Sequence, residues 1–115
     1  MRNDKDNLIV NLTFEFALDI IEFSETLEEA GKYVVARQLL KSGTSIGANV
    51  REAQNAESKN DFIHKLKIAA KEADETEYFL LLCKFSKTYP FNESLNDKLI
   101  AIIKILSKII SSSKG

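Results

Sequence analysis

Apolar residues along this chain recur every third or fourth position, and the strict alternation that marks a β-strand is absent. The pattern predicts four helices. The first spans about residues 7–28, with Gly31 just beyond it as a stop signal. It carries two apolar stripes. Leu8, Leu12, Phe16, Ile20, Phe23 and Leu27 form one; Val10, Phe14, Ala17 and Ile21 form the other. At about 100° per residue the two lie roughly 120° apart. One stripe docks a helix into a small bundle, so the second calls for an additional cover.

The second helix is expected over residues 33–57, with Val35, Leu39, Ile46, Val50 and Ala53 inward. Ala36, Gly43 and Gly47 make a small-residue shoulder beside that stripe. Two glycines inside a helix each cost about 1 kcal/mol relative to alanine. They imply close approach of another backbone; the alternative is a kink at Ser42–Ser45. The third helix, over 59–87, begins at Ser58, whose hydroxyl and Asp61 three residues on resemble a capping box. Phe62, Leu66, Ala69, Ala70, Ala73, Thr76 and Leu80 face inward, and the alanines suggest a tight crossing against the glycine shoulder. Near its end, Tyr78, Phe79, Leu82 and Phe85 belong to a run that is apolar nearly all round, more than a monomer of this size can bury. After the turn at Thr88–Phe91, Asn92 or Ser94 caps a fourth helix over 93–111. Leu95, Leu99, Ile102, Ile103, Leu106, Ile109 and Ile110 point inward there, and a polar tail follows.

Composition narrows this picture. The 115 residues suit one domain, 1–115. Sixteen basic against seventeen acidic residues leave a net charge of −1, which argues against a strong general affinity for nucleic acid or anionic membrane. A single cysteine, Cys83, excludes an internal disulfide and fits a reducing cytoplasm. The polar start and the lack of any long apolar run argue against a signal peptide or a membrane span.

The stretch Gln38–Phe85 resembles a known family. Its words are Gln38-Leu39-Leu40-Lys41-Ser42, Thr44-Ser45-Ile46-Gly47-Ala48-Asn49-Val50 and Glu52-Ala53. Then come Ser58, Asp61-Phe62, Lys65-Leu66 and the run Ala70 to Tyr78. These are similar to the bacterial four helix bundle proteins, also called 23S ribosomal RNA intervening-sequence proteins or the S23 ribosomal protein family. The resemblance implies an all-α, up-down antiparallel four-helix bundle that assembles as a homopentamer, with no established enzymatic activity. The ribosomal name reflects genes found inside inserted ribosomal RNA segments. Related accessory proteins of retroelements are basic and contact nucleic acid, whereas this chain is slightly acidic.

Chemistry has few candidates. A ferritin-like di-metal site needs two Glu-x-x-His pairs; the chain has one histidine, His64, preceded at i−3 by Asp61. No metal or cofactor is expected. Asn49, Glu52, Glu72 and Glu77 border the inward stripes and are expected to form a buried polar network between helices, with a carboxylate-lined ligand site as the alternative. Arg37, Lys41 and Arg51 share the outer face of helix 2, and Lys67 and Lys71 that of helix 3. They are solvated faces or, repeated by symmetry, a phosphate-binding ring. Cys83 sits in an apolar run, where a thiol stays inert. No phosphate loop or catalytic triad is present.

The residues therefore point to a non-enzymatic assembly or adaptor protein in the cytoplasm, with RNA or DNA binding as the alternative. Its oligomer interface is expected to use Val10, Phe14, Ala17, Ile21, Ala36, Gly43, Gly47, Tyr78, Phe79, Leu82 and Phe85. The partners are further copies of itself and a protein or nucleic acid.

Overall fold

A computed structural model describes residues 7–114; the polar start over residues 1–6 and the terminal Gly115 lie outside the described residues. Four helices follow one another: α1 (Leu8–Glu29), α2 (Tyr33–Ala53), α3 (Lys59–Phe85) and α4 (Glu93–Lys114). Each packs on its neighbour in sequence, and α4 closes back onto α1, giving an all-α antiparallel four-helix bundle measuring 45 × 22 × 20 Å.

Local chemistry sets the helix ends. Asn7 caps α1 by accepting from the Val10 amide, and it also donates to Gln54 Oε1 at 2.9 Å, tying the start of α1 to the end of α2. At the other end of α1, Gly31 takes φ +80°, and the Lys32 amide reaches back to the Leu27 carbonyl at 2.8 Å, closing the helix in a tight reversal. Ser58 caps α3 through the Asp61 amide, while Asp61 accepts from Glu57 rather than from Ser58 itself. Asn92 is the side chain that caps α4, accepting from the Ser94 amide. Three ends differ from the sequence expectation by two residues or more. α2 stops at Ala53, where Gln54 and Asn55 turn, α3 stops at Phe85, and α4 continues through the serines to Lys114.

The core is one cluster. Phe16, Ile20 and Leu27 of α1 meet Leu39, Ile46 and Val50 of α2, Leu66, Ala69, Ala73 and Leu80 of α3, and Leu95, Leu99, Ile102 and Leu106 of α4. The first stripe of α1 is buried except at its start, where Leu8 is exposed and Leu12 half-buried.

The glycine shoulder packs, but against a different helix from the one expected. It meets α1, not the alanines of α3. A Cβ added at Gly43 would lie 2.8 Å from the Ile20 side chain, and one at Gly47 would lie 3.2 Å from the Thr13 carbonyl oxygen. Both are tighter than ordinary van der Waals contact, so side chains at these positions would force the two helices apart. α2 is an unbroken helix through Ser42–Ser45. Across the other side of α2, the Ser42 and Thr76 hydroxyls bond at 2.9 Å in the core, and Thr76 also donates to the Glu72 carbonyl at 2.7 Å. With its one hydrogen spent on that carbonyl, Thr76 accepts from Ser42, and both buried groups are satisfied.

Gly43→Ala should lower stability by about 1–3 kcal/mol through overpacking, although alanine is the better helix former; urea unfolding followed by circular dichroism measures it, and a gain in stability would show that Ile20 yields freely. Thr76→Val should cost about 1–3 kcal/mol by orphaning Ser42, and adding Ser42→Ala should recover most of that loss. A double variant no more stable than the single one would mean the pair is not what holds α2 to α3 there.

Candidate functional site

Much of what α1 and α2 leave uncovered is apolar. Phe14 is 59% exposed, Ile21 41% and Leu40 41%, and Leu18, Tyr33 and Val34 are exposed as well. Phe14, Leu18 and Ile21 recur at the helical period on the outer side of α1. Between the two helices, Val10, Thr13, Phe14, Ala17, Thr44, Gly47, Ala48 and Arg51 line a groove of about 240 Å³. The groove exists because the glycines let α2 approach α1 while Ala17, Thr44 and Ala48 are too short to fill the space above the contact. Contiguous exposed apolar faces are uncommon on soluble monomers, which makes this face the candidate site.

The residues expected at an oligomer interface divide four ways. Phe14, Ile21, Ala17 and Gly47 lie on this face or groove. Val10 lines the groove but is itself buried. Ala36 and Gly43 are a correction: Ala36 is 1% exposed and Gly43 is pressed on Ile20, so both belong to the chain's own core. On α3, Tyr78, Leu82 and Phe85 are exposed and Phe79 is half-buried. The Tyr78 and Phe79 rings meet edge to face at 5.5 Å, and Lys84 lies over the Phe85 ring.

The four polar side chains expected to form a buried network do not. Asn49 bonds back to the Ser45 carbonyl of its own helix, and Glu52 is exposed and pairs with Lys65 at 3.2 Å. Glu77 is half-buried and makes no hydrogen bond or ion pair with a described residue. Burial and then the neighbouring Glu75 push the Glu72 carboxyl above its usual range, against the pull of Lys41 and Lys71. The folded state thus holds the Glu72 proton more tightly than the unfolded chain, and ionising it costs stability as the pH rises through that range. The buried polar pair is Ser42 with Thr76. Short hydroxyls that bond locally within helices leave little signal in a sequence, whereas glutamates beside an apolar stripe can simply turn outward, as Glu52 does.

The five basic candidates, Arg37, Lys41, Arg51, Lys67 and Lys71, are all exposed. Leu18, Tyr33, Val34, Leu40, Thr44 and Ala48 were not assigned to the site from sequence. The signal for Leu18 was its i+4 spacing from Phe14; the α2 residues lie among Arg37, Lys41 and Arg51, which alone defined that helix's outer face in the sequence. No group of three or more His, Cys, Asp or Glu side chains suited to a metal occurs among the described residues. His64 is exposed. Cys83 is fully buried, and burial pushes its thiol up to about 11. No described helix is long and apolar enough to cross a membrane. In native protein at pH 8, Cys83 should therefore be alkylated far more slowly than in urea; equal rates would put the thiol within reach of water.

Comparison with known proteins adds identity to this geometry. Residues 5–112 match the family described as 23S rRNA-intervening sequence protein. A crystal structure from Bacteroides thetaiotaomicron, of a protein with unknown function from the S23 ribosomal protein family, superposes with a TM-score of 0.81. The two are 43% identical, over 90% of this chain and 98% of that one. No curated protein matches.

Proposed function

We propose, for a chain that belongs to the 23S rRNA-intervening sequence protein family, that it is a non-enzymatic assembly module whose copies associate through the outer α1–α2 face. The observation that carries this reading is the exposure of Phe14, Leu18, Ile21 and Leu40 around a groove with no side chain to fill it. Burying such a face stabilises by about 25 cal/mol per Å² of apolar surface, and a further copy presents surface of the same kind. Five copies is the number the family resemblance implies, and a closed ring of identical subunits is the arrangement that satisfies every copy equally. The assembly then displays its polar faces to a protein partner.

Size-exclusion chromatography with light scattering should give a mass near five times 13.0 kDa. Phe14→Glu or Ile21→Glu should release smaller, fully helical species; loss of helicity instead would place those side chains in the fold's own support. A peak whose 260 nm absorbance dominates and falls away at high salt would favour nucleic-acid binding through Arg37, Lys41, Arg51, Lys67 and Lys71. A wild-type monomer would contradict the assembly reading.

A further inference from the structure

We propose that the assembly is head-to-tail, with the outer stripe of α1 in one copy packed antiparallel on the outer stripe of α2 in the next. The inference rests on the self-assembly reading and specifies which surfaces meet. The exposed stripe of α1 runs Phe14, Leu18, Ile21, Glu25, Glu28, apolar first and acidic last. That of α2 runs Val34, Arg37, Lys41, the half-buried Thr44, Ala48 and Arg51, with two bases toward the start, small residues beyond them and a third base at the end.

Levels along the bundle are fixed by contacts within the chain. Asn7 bonds Gln54, and Thr13 and Ile20 lie against Gly47 and Gly43. Extending that register puts Phe14 at the height of Ala48, Leu18 at that of Thr44, Ile21 at that of Leu40 and Lys41, and Glu25 at that of Arg37. A rotation axis parallel to the bundle preserves both level and helix direction, so α1 of one copy meets α2 of the next antiparallel and in this same register. Phe14 and Leu18 then face the short Ala48 and Thr44, Ile21 meets Leu40 and the stem of Lys41, and Glu25 faces Arg37. The outer ridge of α3 offers no such match: Leu82 and Phe85 project where the α1 stripe turns acidic.

The ends of the helices make the same demand. Glu22, Glu25, Glu28 and Glu29 crowd the C-terminal half of α1, where the helix dipole disfavours negative charge, and α1 has no basic residue in its last turn. α2 is mirrored, with Lys32 and Arg37 at its N-terminal end and no acid in its first turn. Yet none of those four glutamates forms an ion pair with a described residue, and neither Arg37 nor Lys41 does. Packing α1 against the next copy's α2 would give Glu25 its opposite in Arg37 and set Lys41 near the acidic half of α1.

Charge reversal across copies tests this. Arg37→Glu and Glu25→Arg should each weaken association at least tenfold in dilution experiments monitored by light scattering, and the double variant should regain most of it, because each junction again joins acid to base. Ala48→Trp, on an exposed position that leaves the fold intact, should dissociate the assembly by blocking the seat of Phe14. Wild-type assembly that survives both Arg37→Glu and Ala48→Trp would overturn the surface assignment while leaving self-association standing. A double variant as weak as the single ones would also overturn it. A monomeric wild type would remove both readings.

Discussion

The contact on which the rest of the structure depends is the approach of α1 to α2 at Gly43 and Gly47. With no Cβ at either position, the Ile20 side chain and the Thr13 backbone sit directly on α2. Two glycines weaken a helix by about 2 kcal/mol in isolation, so α2 keeps its helical form because packing supplies more than propensity withdraws. The same closeness fixes the register of the pair, and with it the level of each outward side chain. It also shapes the groove above the contact, where Ala17, Thr44 and Ala48 leave Phe14 standing proud. One packing constraint inside the fold therefore determines what the outside presents.

Ion pairs hold the remaining junctions only lightly. Lys65 meets Glu52 between α2 and α3, Lys84 meets Glu93 between α3 and α4, and Lys98 meets Asp19 between α4 and α1 at 2.6 Å. All lie at the surface, where water and salt screen such pairs and leave them little net stabilising effect. They mark which helices are neighbours more than they stabilise them. The specific polar element in the core is the Ser42–Thr76 bond, which ties α2 to α3 at one level and leaves apolar packing to do the rest.

Much of the fold was legible in the sequence because a helical period needs no tertiary information. The inward residues of α2 and α4, and the cap at Ser58, could be read from spacing and residue type, while the cap of α4 was left between Asn92 and Ser94. The close approach announced by the glycines was legible too, but not its partner: small residues show that something comes near without saying which helix. The site was less legible. Phe14 and Ile21 stood out as apolar residues off the main stripe, whereas Leu40 lay hidden beside Lys41, and Ala36 and Gly43, a shoulder beside the stripe, are buried in the chain's own core, Gly43 against Ile20. Glu52 shows the same ambiguity for polar groups, since a residue bordering a stripe reaches core or solvent depending on a few degrees of helix rotation.

The account's central claim, that α1 of one copy lies on α2 of another, can be tested by cross-linking between two separately made variants. Glu25→Cys chains mixed and refolded with Arg37→Cys chains, then oxidised gently, should form covalent dimers containing one chain of each kind, since the buried native Cys83 is shielded from the reaction. The register predicts that neither variant cross-links efficiently with itself. Absence of the mixed dimer, or preferential joining of Glu25→Cys chains to one another, would contradict the head-to-tail arrangement.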